Sequence, residues 1–241
     1  MGIDPAKLEL WSDGALLVVN KPAGLPTLVD GYDPAAPYLL GLLKESFGPL
    51  WVVHRLDRET SGVIVFARNA DAHRALNTQL EKHQAQKVYH ALVDGSPEWT
   101  EKTVRLPLRT NGDRKHRSVV DIRRGKVAET QLRVLRRFGA ISLVQAIPRT
   151  GRTHQIRVHL AAQGCPVISD ALYGDGRHLF LSELKPDYKG VKEESPLLSR
   201  LGLHAWSLTL FHPSGHQELR FEAPYPIDFA NALKYLNKFK S

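Results

Sequence analysis

Apolar residues along this chain fall mostly into short β-branched runs, with helical stripes between them. "ALLVVNKP" (15–22) predicts a buried strand stopped by proline, and "AGLPTLVDGYDP" the loop that follows. Leu39, Leu40, Leu42, Leu43 and Phe47 recur at helical spacing and predict a short amphipathic helix ending near Gly48. "WVVH" and "GVIVFAR" predict two strands around the polar bend "RLDRETS", which places Asp57 at a strand end. "NADAHRALNTQLEKHQ" predicts a helix capped by Asn69, with Ala72, Leu76 and Leu80 on one face.

Further strands are predicted for "KVYHALVDG" (87–95), "AETQLRVLRRF" (128–138) and "AISLVQAIP" (140–148), the last two turning at Gly139 as a hairpin. In "RTHQIRVHLAAQG", Ile156 and Leu160 lie one turn apart and Gly164 closes the segment, which suits a helix with a glycine stop. Residues 173–203 are rich in Pro, Gly, Lys and Glu and read as an irregular connection. "LHAWSLTLFHP" and "HQELRFEAP" alternate as a closing hairpin, and "DFANALKYLNKFK" reads as a terminal amphipathic helix. No internal repeat or clear linker interrupts the chain. Hairpins outnumber helical crossovers, so the expected class is α+β with a largely antiparallel sheet.

Composition narrows the function classes. At 241 residues, 42% hydrophobic and 24% charged, the chain is an ordinary globular one, long enough for one large core or two lobes. A net charge of +8 favours a polyanionic partner, nucleic acid above all. The single Cys165 excludes an intramolecular disulfide, and "AAQGCPVI" places it where cysteine behaves as a small hydrophobe. The N-terminus has neither a signal peptide nor a myristoylation motif, and no run approaches the ~20 apolar residues that span a bilayer. A cytoplasmic protein without membrane attachment is expected.

Metal and nucleotide chemistry find little support. His154 and His159 are five apart, unlike the i, i+4 pair of a zinc-binding helix. The Gly-x-Gly of "YGDGR" lacks the strand before it and the helix after it that a dinucleotide site requires. No nucleophile elbow surrounds Ser61, which is expected to serve the turn that lets Gly62 re-enter the sheet. What stands out is Asp57 between Arg55 and Arg58, together with Arg149, Arg152 and Arg157 in "RTGRTHQIRVH". On the residues alone these are either solvated basic surface with one salt bridge or a carboxylate held for chemistry.

Four segments, "VVNKPAGL" (18–25), "HRLDRETSG" (54–62), "KVYHALVDG" (87–95) and "RTGRTHQIRVHL" (149–160), resemble in order and separation the motifs of RluA-type pseudouridine synthases. With "LHAWSLTLFHP" the resemblance covers almost the whole chain. It implies a single catalytic domain over residues 1–241, without an additional N-terminal RNA-binding module. Its α+β fold would have a largely antiparallel or mixed sheet, with flanking helices and loops around a central cleft. The implied activity is isomerisation of a uridine to pseudouridine in structured RNA, a stem-loop of large-subunit ribosomal RNA or transfer RNA. No redox change or energy input is involved, so neither cofactor nor metal is implied, and a monomer is expected.

By the same resemblance Asp57 matches the catalytic aspartate, acting at ribose carbon 1, at uracil carbon 6 or in a glycal route. Arg157 matches its ion-pair partner. Tyr89 matches the tyrosine that stacks on the target base and takes part in removing the carbon 5 proton, and Arg55 the side chain that enters the RNA stack vacated by the flipped nucleotide. Ser169 in "VISDALYG" departs from the glycine more common in the family, a difference that concerns the local turn and not the chemistry. The basic segment 109–126 is expected to project as a hairpin or loop, with Arg114, Lys115 and Arg117 on the RNA backbone. The alternative is a non-catalytic RNA-binding module on the same scaffold, which the joint presence of Asp57, Tyr89 and Arg157 disfavours. A two-carboxylate glycoside hydrolase lacks a second acid near Asp57 in these motifs.

Overall fold

The computed structural model describes residues 3–31, 33–114, 117–190, 193–215 and 217–240. The chain divides into two units: the part up to Val88 with His204–Pro224, and Tyr89–Leu203 with the part from Tyr225 onward. In chain order the elements are a 3-10 turn (Pro5–Leu8), β1 (Glu9–Ser12), β2 (Leu16–Lys21), α1 (Leu39–Phe47), β3 (Trp51–Val52), β4 (Ser61–Ala67), α2 (Ala70–Glu81) and β5 (Gln86–Asp94). There follow β6 (Glu101–Val104), β7 (Leu108–Arg109), β8 (Val119–Val120), β9 (Thr130–Phe138), β10 (Ile141–Pro148), α3 (Gln155–Ala162), α4 (Leu181–Leu184), β11 (Leu203–Phe211), β12 (Glu218–Glu222) and α5 (Ile227–Phe239). The class is α+β, mostly antiparallel, as the hairpin-rich pattern predicts.

In the first unit β2 and β4 are buried on both faces, so they read as continuous apolar runs without alternation. They pair antiparallel from Leu16↔Ala67 to Lys21↔Gly62. β1 extends the sheet beyond β2, while β11 joins β4 in a parallel pairing at His204↔Ser61 and Ala205↔Gly62 and itself pairs with β12. Only glycine fits at 62: its φ is +117°, and a Cβ there would lie 2.2 Å from the Ala205 carbonyl oxygen. Asn69 caps α2 as predicted, accepting from Ala72 N–H at 2.8 Å. Leu76, Gln79 and Leu80 of α2 face Val65, Leu208 and Leu210.

The second unit is an antiparallel sheet in the order β5-β10-β9-β6, with alternate residues turned to opposite faces. Ala91, Val93, Leu132, Val134, Val144 and Ala146 pack with Ile156 and Leu160 of α3. From the other face Leu92 packs with Phe229, Ala232 and Leu236 of α5. Gly139 (φ +69°) turns the β9–β10 hairpin, and Gly164 (φ +74°) follows α3. The helix starts later than its sequence suggests, because His154 sits in the left-handed region at φ +57°. The polar 173–203 connection contains α4 and the Leu179↔Leu198 bridge, and Leu179, Leu184 and Leu198 are buried in the α5 cluster. Cys165 is buried, and that burial pushes its thiol up to about 11. Among the described residues no helix is long and apolar enough to cross a membrane.

Candidate active site

In the first unit Asp57 occupies the bend between β3 and β4, half-buried, and its carbonyl accepts from Thr60 N–H at 3.1 Å to close a turn. The loop after β2 holds that bend. Lys21 is fully buried, and its ammonium donates to the carbonyls of Pro22 (2.9 Å), Leu25 (2.7 Å) and Arg58 (3.0 Å). Such a cation is tolerable in a core because each N–H meets a carbonyl dipole. Gly24 N–H also donates to the Arg58 carbonyl (2.9 Å), and Arg58 Nε returns a bond to the Gly24 carbonyl at 3.1 Å. Arg58 is therefore tied back to this loop, while Arg55 is exposed.

Two histidines brace the same region. His54 Nε2 accepts from Val65 N–H at 3.3 Å, and burial, with the neighbouring Lys87 charge adding to it, pushes the imidazole down to about 3. His54 is thus a neutral acceptor that fastens the bend to β4. His204 Nε2 donates to the Ala223 carbonyl (3.1 Å), and its Nδ1 shares a hydrogen bond with the Ser61 hydroxyl at 2.9 Å. Ser61 thus links the start of β4 to β11.

In the second unit Tyr89 lies half-buried opposite Ala146 and packs on the α3 side of the sheet. Arg157 of α3 is 5% exposed and forms a bidentate pair with Asp170, Nε to Oδ2 and Nη2 to Oδ1, both at 2.7 Å. Its guanidinium carbon stands 5.1 Å from the Tyr173 ring centre. Asp170 also accepts from Leu172 and Tyr173 N–H, while the Tyr173 hydroxyl meets His154 Nδ1 (2.9 Å) and Ser118 N–H (3.0 Å). The sequence reading paired Arg157 with Asp57 alone; the Nε edge of its fork belongs to Asp170, which that reading did not nominate. Ser169, beside Asp170, adopts φ +60°, the left-handed conformation that explains why glycine suits this position. Its hydroxyl donates to the Arg177 and Leu198 carbonyls at 3.2 and 3.3 Å.

The basic segment forms the predicted hairpin through β7 and β8, with Leu108↔Val120 and Arg109↔Val119. Its cations fall into two kinds. Arg109 pairs with Asp121 (2.7 Å); Arg117 pairs with Asp113 (2.7 Å), donates to the Leu172 carbonyl and lies 5.9 Å from the Tyr173 ring. Arg117 therefore supports the hairpin from within, a part the sequence did not assign to it. Arg114, Arg123, Arg124 and Lys126 are exposed. Lys115 lies outside the described residues.

Comparison with known proteins gives this geometry a family. A model described as RNA pseudouridylate synthase matches residues 15–162. Ribosomal large subunit pseudouridine synthase C of Salmonella typhimurium is 38% identical over 239 residues, covering 98% of this chain and 72% of that protein. Ribosomal large subunit pseudouridine synthase D of Neisseria meningitidis is 34% identical over 245 residues, and this chain spans 62% of its length. Among solved structures, human RNA pseudouridylate synthase domain containing 4 superposes with a TM-score of 0.74 at 29% identity, covering 96% of this chain and 94% of that one.

Proposed function

The chain belongs to the RNA pseudouridylate synthase family, and on that premise we propose that it isomerises a specific uridine in a stem-loop of large-subunit ribosomal RNA, with Asp57 as the catalytic carboxylate. The observation that carries this reading is the 38% identity, extending over 98% of the chain, to a protein named for that substrate. The built support around the Asp57 bend agrees with it: a buried lysine, a glycine, the neutral His54 and His204 all act on or beside a short loop whose half-buried acid is Asp57.

The reaction breaks the bond between ribose carbon 1 and uracil nitrogen 1, turns the base and forms a bond to uracil carbon 5. The carbon 5 proton leaves and nitrogen 1 gains one, so substrate and product have equal mass. In this reading Asp57 acts at the sugar or the base. Tyr89 stacks on the uracil and takes part in removing the carbon 5 proton, and Arg55, exposed on its loop, enters the gap left by the flipped nucleotide. Arg157, held by Asp170 through Nε and Nη2, is the cation assigned to Asp57 in this reading. The enzyme is a cytoplasmic monomer in this reading, and the exposed hairpin cations grip the RNA backbone.

The test is a map of pseudouridines in total RNA from cells with and without this protein, with Asp57→Asn supplied for rescue. One or more large-subunit positions should lose the modification, and the variant should not restore it while binding RNA within a few-fold of wild type. Loss confined to transfer RNA would redirect the substrate, and rescue by Asp57→Asn would remove Asp57 from the chemistry.

A further inference from the structure

We infer that Thr27 is a positioning residue for Asp57, acting through the peptide groups of Leu56; the inference rests on the catalytic reading of Asp57. Thr27 follows Pro26 in a loop whose next residues, Leu28 and Val29, are exposed, yet it is only 3% exposed itself. Its hydroxyl accepts from Leu56 N–H at 3.2 Å and donates to the Leu56 carbonyl at 2.9 Å. One oxygen thus holds both polar groups of the residue that precedes the aspartate. Leu56 is itself 3% exposed, so its peptide groups cannot turn to water without drawing an apolar side chain out of the core.

The hydroxyl has a fixed base. Leu39 N–H donates to the Pro26 carbonyl (2.8 Å) and Leu40 N–H to the Thr27 carbonyl (3.2 Å). These are first-turn donors of α1, which lack partners within the helix, and the residue before the helix, Tyr38, makes no side-chain cap. A rigid connection therefore runs from α1 through Thr27 to Leu56. Beyond Asp57, the Arg58 carbonyl is held by Lys21 Nζ and Gly24 N–H. The reactive residue is pinned on both sides by one short stretch, the end of β2 and the loop after it (residues 21–27), and Thr27 supplies the grip on its N-terminal side. Pre-organisation of this kind acts on rate, because small displacements of a reacting group are costly while RNA contacts elsewhere are untouched.

Thr27→Val keeps the branched shape and deletes the hydroxyl; Thr27→Ser keeps the hydroxyl; Thr27→Ala against Thr27→Ser isolates the same oxygen in a smaller side chain if valine does not fold. Single-turnover rate at saturating RNA, RNA Kd and hydrogen–deuterium exchange over residues 54–60 are measured for each, with Asp57→Asn in parallel. The hydroxyl-less variants should lose on the order of 10- to 100-fold in rate, with RNA Kd within about twofold and faster exchange at Leu56, while serine stays near wild type. Wild-type rates for the hydroxyl-less variants beside an inactive Asp57→Asn overturn the role of Thr27 alone, as does equal slowing of serine and alanine. An active Asp57→Asn removes the catalytic reading, and this proposal with it.

Discussion

At the scale of single residues, the buried charges carry the most weight. Asp170 has a fully buried side chain and neutralises a nearly inaccessible guanidinium, so removing either charge strands the other in the core. Asp170→Asn keeps the shape and should cost about 3 kcal/mol or more, seen as a fall in Tm on the order of 10 °C for a chain of this size. If Arg157 also orients Asp57, turnover at saturating RNA should drop in this variant at temperatures where it remains folded. A thermal scan within 2–3 °C of wild type, on the scale of about 1 kcal/mol, would show that the pair contributes little. Neither Asp170 nor the burial of Lys21 was legible in the sequence. Lysine reads as surface until its carbonyl partners are known, and one of them, Arg58, lies 37 positions away. Asp57 was legible because its whole neighbourhood is a long motif.

At the scale of elements, continuous apolar runs such as β2 and β4 announced themselves, and so did helices with a cap or a glycine stop, α2 and α3. The strands β1 and β6 did not. They lie at the outer ends of their sheets, expose most of their side chains or leave them half-covered, and so show no apolar alternation. The β7–β8 hairpin was legible as a projection, but which of its cations face solvent was not, since that depends on Asp113 and Asp121. Replacing exposed Arg114, Arg123 and Arg124 by alanine should weaken RNA binding and lower the slope of log K against log salt by about 0.7–0.9 for each phosphate no longer neutralised. Arg117→Ala should instead loosen the hairpin, raising its protease sensitivity with a smaller change in slope. Equal salt slopes for wild type and the triple variant would leave the hairpin outside the RNA interface.

At the scale of the whole molecule, neither unit is a continuous stretch of chain, because β11 and β12 return to the first and α5 closes the second. Ending the chain after Pro224 deletes Phe229, Ala232 and Leu236, all fully buried, and uncovers Leu92, Phe138 and Ile141. That truncation should bind a hydrophobic dye and lose cooperative melting; a sharp transition with native near-ultraviolet circular dichroism would show that α5 is dispensable. The parallel pairing of β11 with β4 has a consequence for synthesis. The residues it brings together, Ser61 and His204, are 143 positions apart. Contact order is therefore high, and the loop must close before the pairing stabilises anything. While the ribosome makes the intervening segment, the nascent chain carries a mostly apolar strand, β4, whose Ser61–Gly62 end waits for β11 to pair with it. During that interval the chain is open to aggregation and suited to capture by a chaperone.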